Sequence, residues 1–245
     1  DCGIKGAATA AQWQALLNGP LAGRPVIGII VSHYHADHIG YAGALASQTG
    51  APIYMGTVEY EQASWGLSQN DADYAAVMVD CYRQFGLADE HIDAARNTGN
   101  YYRFLVGDLP EVTLIDDSHQ FITKAGCWQV RFDAGHSPGH MSLTDSDRQL
   151  HICVDFLLPR ISPNISAKLR DLNADMLADY LRYLDGMTHC PADWLIIPGH
   201  DWPYYGGGAR ARQLCDHHVA RLDQLLHMTG TTPISTNDAM LALFP

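Results

Sequence analysis

The feature that most constrains this chain is a short segment that reads H-x-H-x-D-H. It contains three histidines and one carboxylate, namely His33, His35, Asp37 and His38. A β-branched apolar run at 26–31 precedes it and indicates a buried strand, while the alanine-rich segment after Gly40 indicates a helix. The cluster therefore lies on a loop at the carboxyl end of a strand, where α/β proteins commonly place functional side chains.

The spacing within this loop favours a metal site. On an extended backbone, His33 and His35 point in the same direction, whereas Asp37 and His38 can turn toward a second point. Imidazole and carboxylate groups are ordinary ligands of transition metals. An isolated histidine more often packs in a core or lies on the surface, but a cluster of this composition is typical of metal binding. It suits two metal ions side by side better than one.

Three further segments could complete the site, because each places a candidate ligand at the carboxyl end of a predicted strand. They contain His136 and His140 in the sequence G-H-S-P-G-H, Asp155 after the run at 150–154, and His200 in the sequence P-G-H-D. Asp155 by itself could equally cap a turn. Taken together, the segments predict that four strand ends meet at one edge of the fold.

These motifs resemble those of the metallo-β-lactamase-fold hydrolases. The resemblance extends from the D-C-G turn at residues 1–3, which is similar to the family's D-T-G turn, to about His200. It implies an α/β fold, an αββα sandwich of two mixed sheets flanked by helices, in a single domain over 1–245. Because the family fold has strands before this turn, we expect the first strands to be missing from this chain.

The same resemblance implies seven ligands around two divalent metal ions. They are His33, His35 and His136 for one ion, Asp37, His38 and His200 for the other, and Asp155 between the two. His136 is chosen over His140 because the family's ligand follows the first glycine of a G-H-[ST]-P-G turn. One departure is Val154, since the family usually has glycine before the bridging aspartate. Zinc is the expected metal, and a histidine-rich site with a bridging carboxylate also accepts iron or manganese.

The resemblance to hydroxyacylglutathione hydrolases and acyl-homoserine lactonases implies a thioesterase or lactonase activity. A hydroxide that bridges the metals would attack the carbonyl, and Asp37 would orient it and take or return a proton. No serine nucleophile stands in a G-x-S-x-G elbow. Two alternatives stay open: a mononuclear-iron dioxygenase of persulfides with the same fold, and a non-catalytic ligand-binding homologue, against which the intact ligand set argues.

Composition limits the kinds of molecule that we expect this protein to bind. The chain of 245 residues has 15 Lys and Arg against 27 Asp and Glu, a formal net charge of -12. Nucleic-acid affinity depends on neutralising phosphates, so we expect a small-molecule substrate and no nucleic acid. No apolar run reaches the roughly 18 residues that a membrane span requires, so we expect no membrane. Charged residues make up 17% of the chain, which favours extensive buried surface. A homodimer interface is one way to bury such surface.

The six cysteines contain no C-x-x-C pair. A cytoplasmic protein without disulfides is the simpler expectation, and the even number of cysteines leaves a periplasmic location open.

Segment 57–102 is predicted to be a helical insertion with a break at Gly86, and it is rich in aromatic residues. Ordinary core packing explains such a pattern, but a lid that closes an apolar substrate pocket would also explain it. The predicted substrate contacts are Tyr101, Tyr102, Trp202 and Tyr205. Other helices are expected at 8–18, at 173–187 and at 210–228, the last within a C-terminal helical region at 205–245. Strands at 112–115, 120–123 and 127–132 are expected to form one antiparallel run.

Overall fold

The computed structural model describes residues 1–124, 126–230 and 233–244. Its strands are β1 (Ile29–Val31), β2 (Ile53–Gly56), β3 (Val112–Ile115), β4 (Gln120–Thr123), β5 (Gly126–Asp133), β6 (His140–Asp145), β7 (Leu150–Val154), β8 (Leu195–Pro198) and β9 (Tyr204–Tyr205). Its helices are α1 (Ala7–Asn18), α2 (Ala36–Ile39), α3 (Ala42–Thr49), α4 (Thr57–Ser68), α5 (Asp71–Gln84), α6 (Asp89–Thr98), α7 (Tyr101–Leu105), α8 (Met176–Met187), α9 (Gly207–Thr229) and α10 (Thr236–Leu243).

The strands form two sheets with helices on their outer faces, as the α/β sandwich prediction requires. The smaller sheet has the order β1-β2-β3, and in the described part of the chain both of its strand pairs are parallel, so it is not mixed. The larger sheet has the order β4-β5-β6-β7-β8-β9 and is mixed, because β7 and β8 pair in parallel while its other pairs are antiparallel. Helices α4 to α7 form the crossover that a parallel pairing of β2 with β3 requires.

The predicted antiparallel run of three strands is wrong in one respect. All three strands exist, but 112–115 pairs in parallel with β2 in the smaller sheet, and of the three strands it is β4 and β5 that form an antiparallel hairpin. The chain leaves the smaller sheet through a turn in which Asp116 Oδ1 accepts a hydrogen bond of 2.9 Å from the Ser118 N–H. Local propensity identified each strand, whereas the choice of partner depended on the free edge of β2.

Segment 57–102 is helical, as predicted, but it is divided into four helices. Asn70 caps the second of them, because its side chain accepts a hydrogen bond from the Asp73 N–H. Gly86, with a φ of 65°, follows the end of that helix in the left-handed region that favours glycine.

Apolar clusters hold the layers together. Ile53 packs with Leu45 in a cluster on the helical side of the smaller sheet. The next residue, Tyr54, points to the opposite face of the strand and packs with Val130 in a cluster between the sheets. Leu184 belongs to a third cluster, which joins the larger sheet to α8 and α9. Both faces of each sheet are therefore buried in part, which keeps the strand ends in a constant position. Among the described residues, no helix combines the length and the apolar character needed to cross a membrane.

Close packing between α3 and the segment before β3 generates a stability prediction. A Cβ atom at Gly43 would overlap the carbonyl oxygen of Asp108. We expect Gly43→Ala to lower the free energy of unfolding by about 1–3 kcal/mol, measured by urea denaturation. The matched control is Gly186→Ala in α8, where nothing lies within 4 Å of the added carbon; it should be neutral or stabilising by up to about 1 kcal/mol. Equal effects at the two sites would contradict the packing argument.

Candidate metal centre

The ends of four strands bring the seven predicted ligands together. His33 and His35 follow β1, His136 follows β5, Asp155 follows β7 and His200 follows β8. Asp37 and His38 lie on the short helix α2, directly after the first loop. The structure groups these residues into three sets of close ligand atoms, His33 with His35 and His136, His33 with His38 and Asp155, and Asp37 with His38 and His200.

Three imidazole nitrogens form the first set. His33 Nε2 lies 3.1 Å from His35 Nδ1, and that atom lies 2.9 Å from His136 Nε2. The triangle is closed by a distance of 3.3 Å between His136 Nε2 and His33 Nε2. Three nitrogens bound tetrahedrally to one zinc ion at ordinary bond lengths lie about 3.3 Å apart. The spacing therefore fits three ligands of a single ion.

The remaining ligand atoms, which belong to Asp37, His38, His200 and Asp155, are together called the second set. His200 Nε2 lies 3.3 Å from Asp37 Oδ2 and 3.3 Å from Asp155 Oδ2. His38 Nε2 lies 3.3 Å from the same oxygen of Asp155. That oxygen is also 3.4 Å from His136 Nε2, which belongs to the first set. One carboxylate oxygen thus lies between the two groups of ligands, in the position predicted for a bridging residue.

Two buried atoms support the fit of a metal to these residues. His38 Nε2 and Asp155 Oδ1 are shielded from solvent and have no hydrogen-bond partner in the part of the chain that the structure describes. Leaving a buried polar atom without a partner costs about 1–3 kcal/mol. His38 Nε2 lies in the second set, 3.3 Å from Asp155 Oδ2, so a cation there would satisfy it.

The D-C-G turn orients two of the imidazoles. Ser32 Oγ donates a hydrogen bond of 2.8 Å to Asp1 Oδ2 and lies 2.9 Å from His33 Nδ1. Asp1 Oδ2 also lies 2.9 Å from His38 Nδ1. A proton on each Nδ1 completes these contacts and leaves the Nε2 atoms of both histidines free to bind a metal.

His136 and His140 have different surroundings. His136 Nδ1 donates to the carbonyl oxygen of Asn164 at 2.7 Å, so its Nε2 faces the ligand cluster. His140 is fully buried and its Nε2 accepts the backbone N–H of Asp155 at 3.3 Å. The structure therefore places His136 in the cluster and gives His140 a supporting contact to Asp155.

The turn before Asp155 has the shape for which the family usually has glycine. Val154 adopts a φ of 45°, in the left-handed region that a β-branched residue rarely enters. Strain of this kind costs about 1–3 kcal/mol. The loop that carries His200 packs closely against Asp155 at Gly199, where a Cβ atom would overlap the Asp155 carboxylate. Asp155 thus lies within the ligand cluster although valine, and not glycine, precedes it.

Protonation states in the cluster match metal binding. Burial, followed by the charge of His136, lowers the pKa of His35 to about 3. Burial also lowers the pKa of His33 well below its ordinary value. Burial alone would raise the pKa of Asp155, but the close approach and charge of His38 outweigh it and bring this pKa to about 2. Neutral imidazoles and an ionised carboxylate are the forms that bind metal ions.

Comparison with known proteins identifies the family. The family model of the metallo-beta-lactamase superfamily matches residues 1–200. The chain belongs to this superfamily. Its members are generally metal-binding hydrolases, in agreement with the ligand sets described above.

Solved structures from the superfamily share the fold. A beta-lactamase domain protein from Burkholderia ambifaria is 29% identical, with a TM-score of 0.88 over 100% of this chain and 70% of that one. A metallo-beta-lactamase family protein from Thermus thermophilus is 23% identical, with a TM-score of 0.82 over 100% and 78%. TTHA1623, solved in a di-iron-bound form, is 21% identical, with a TM-score of 0.51 over 83% and 82%. No curated protein matches the chain.

A cavity of about 570 Å³ opens beside the ligand cluster of this superfamily member. His35, Asp37 and His136 line one end of it, and side chains of α4, α5 and α7 and of the segment 164–169 line much of the rest. Tyr101 and Tyr102 are among these lining residues.

The predicted substrate contacts therefore fall into two groups. Tyr102 lines the cavity and also supports the ligand loop, because its hydroxyl donates to the carbonyl oxygen of Tyr34 at 2.6 Å. Trp202 and Tyr205 are 79% and 66% exposed and do not line the cavity. The glycine-rich loop directs their side chains to the surface, so the structure lends no support to these two contacts.

Glu59 is a functional residue that the sequence reasoning missed. Its carboxylate is completely buried. Its Oε2 accepts the Tyr34 N–H at 2.9 Å, and its Oε1 accepts the Ser137 hydroxyl at 2.8 Å and the Gly139 N–H at 2.6 Å. Burial raises the pKa of Glu59 to about 7, against the opposing effect of these hydrogen bonds. The signal that could have found it is its place in the first turn of the helix after β2, beside the ligand-bearing strand ends.

The Glu59 contacts join the loop of His33 and His35 to the loop of His136. We expect Glu59→Gln to lower the metal affinity about 10–100-fold, as is typical for residues that orient ligands. The amide NH₂ group cannot accept, so one of the three donors loses its partner and the loops separate. Titration against a competing chelator measures the affinity. Glu61→Gln, on the exposed face of the same helix, is the matched control, and equal affinities in the two variants would refute the link.

Proposed function

We propose that this protein is a metal-dependent hydrolase that holds two divalent ions and cleaves the carbonyl–sulfur or carbonyl–oxygen bond of a thioester or lactone. The observation that carries the proposal is the shared oxygen of Asp155, which lies 3.3–3.4 Å from His38, His136 and His200. A mononuclear dioxygenase would leave Asp37, His38 and His200 without a task. The complete ligand arrangement argues in the same way against a non-catalytic homologue.

Two such ions, when bound, supply Lewis-acid activation of the carbonyl and a hydroxide nucleophile at neutral pH. His33, His35 and His136 would hold one, Asp37, His38 and His200 the other, and Asp155 both. Zinc suits the nitrogen-rich first set. The di-iron form of TTHA1623, which shares the fold, keeps iron as an alternative, and manganese also accepts such ligands.

Asp37 is the residue of the site best placed to handle a proton. Its side chain is half exposed, lines the cavity, and has Oδ2 3.3 Å from His200 Nε2. In the proposed reaction, water oxygen bonds to the carbonyl carbon and the carbon–sulfur or carbon–oxygen bond breaks. Asp37 orients the attacking water, accepts its proton and returns it to the leaving group, so that the balance involves no oxidant or reductant.

The substrate we propose is a small molecule and not a nucleic acid. The cavity beside the ligand cluster has a volume of about 570 Å³, a size typical of small-molecule sites. The formal net charge of -12 opposes the approach of a polyphosphate chain.

Metal content and hydrolysis, measured on one sample, test the proposal. We expect about two transition-metal ions per chain, hydrolysis of a thioester or lactone, loss of this activity on chelation and recovery when metal is restored. His136→Ala should lose metal and nearly all activity, whereas His140→Ala should retain most of the metal. Full activity with one ion would overturn the two-metal site, and oxygen uptake with a persulfide in place of hydrolysis would favour the dioxygenase.

Replacing Asp37 tests its role in proton transfer. We expect Asp37→Asn to lower kcat about 100-fold or more, because the amide keeps the shape but cannot take a proton. KM should change less than kcat, since the lost interaction acts mainly in the transition state. Asp201→Asn is the matched control, because that side chain pairs only with the exposed Arg160 in the ion pairs described and asparagine tolerates its φ of 75°. Wild-type turnover in Asp37→Asn would remove Asp37 from the mechanism.

A further inference from the structure

We propose that the cavity beside the metal centre binds the acyl part of the substrate and selects an uncharged, apolar acyl group, either aromatic or a medium-length aliphatic chain. The inference rests on the proposed hydrolase function and specifies its substrate class. It is carried by the chemistry of the cavity walls, by the pairing of the charges among them and by the volume enclosed.

The walls consist mainly of aromatic, aliphatic and sulfur-containing side chains. Trp65 comes from α4, Tyr74 and Met78 come from α5, and Tyr101 comes from α7. The aromatic rings contact one another, with Tyr74 lying 5.6 Å from Trp65 and 5.6 Å from Tyr101 between ring centroids. Such a surface gains free energy by removing apolar groups from water. A chain whose carbonyl lies at His35 and His136 would extend along it.

Among the described residues that line the cavity, both charged side chains have a partner. Among its lining residues only Asp37 and Lys168 belong to the Asp, Glu, Lys and Arg types. Asp37 faces His200 in the ligand cluster. The Lys168 ammonium lies 3.8 Å from the Asp171 carboxylate. A charged group carried into the cavity would lose hydration and would meet no unpaired charge on the described lining, which is unfavourable; a further cation, Arg170, lies outside the lining with its guanidinium 5.7 Å from the Trp65 ring centroid.

The volume of about 570 Å³ is far larger than an acetyl group requires and falls within the range of pockets that hold drug-sized ligands. Each methylene group transferred from water into such a cavity strengthens binding about fourfold, which corresponds to about 0.8 kcal/mol. Activity should therefore rise with acyl length until the cavity is filled.

The test uses metal-loaded protein and thioesters of N-acetylcysteamine, a small neutral leaving group. From acetyl through butyryl and hexanoyl to octanoyl, kcat/KM should rise about fourfold per methylene until the cavity is full. Adipoyl thioester, which matches hexanoyl in length but ends in a carboxylate, should be hydrolysed about 100-fold less efficiently or worse. A flat series, or a preference for adipoyl, would overturn the inference.

Binding separates this inference from the proposed function. Neutral methyl ketones of increasing chain length are not hydrolysed, and their affinity for the metal-loaded protein can be measured by calorimetry. A rise of about fourfold per methylene without hydrolysis of any thioester or lactone would support the apolar site and refute the hydrolase. Conversely, hydrolysis of a thioester or lactone together with ketone affinities that do not change with chain length would support the hydrolase and refute the apolar acyl site.

Variants on α5 locate the site. Met78→Trp should fill the cavity and lower the octanoyl-to-acetyl ratio of kcat/KM about tenfold or more, as expected when two methylene groups no longer fit. Val77→Trp, at a half-buried neighbour outside the lining, is the matched control and should keep the ratio. Cys81→Leu fills the same cavity with a smaller change and serves if Met78→Trp does not fold. An unchanged ratio in a folded cavity-filling variant would show that acyl groups bind elsewhere.

Discussion

The position of the Asp155 carboxylate is the constraint on which the rest of the site depends. Its Oδ2 lies within 3.4 Å of histidines from three different segments, so a shift of one strand end would break both ligand sets at once. Several features hold it in place: the left-handed Val154, the absence of a side chain at Gly199 and the imidazole of His140 on its backbone N–H. A strained β-branched residue persists there because the surrounding contacts over-determine the turn.

Glu59, on helix α4, is a second residue that holds the loops of the metal centre in place. It joins the two loops that carry the first ligand set. It also lies on α4, the helix that contributes Gln62 and Trp65 to the cavity wall. Glu59 and part of the cavity wall therefore lie on the same helix, which connects the metal loops to the apolar end of the cavity. Tyr102 adds a further connection through its bond to the Tyr34 carbonyl.

Much of the fold could be read from local patterns. The helix at Ala7–Asn18 and the strands at Val112–Ile115, Gln120–Thr123 and Leu150–Val154 lie where apolar periodicity and turn residues placed them. The pairing of the strands was harder to predict from the sequence. Strand Val112–Ile115 joined Ile53–Gly56 across more than fifty intervening residues, and no local signal distinguishes that partner from the next strand along the chain. The division of 57–102 into separate helices likewise required caps that act only once the helices pack.

The sequence by itself determined the chemistry of the centre. Histidine and aspartate side chains bind transition metals, and in each segment they follow an apolar run within a few residues, so their place at strand ends could be predicted from the sequence. Only the tertiary structure decided which atoms meet. The shared oxygen of Asp155, the buried carboxylate of Glu59 and the exposure of Trp202 and Tyr205 all depend on contacts between segments distant along the chain. Burial and distance are properties of packing, and a single sequence records residue types but not the neighbours that packing gives them.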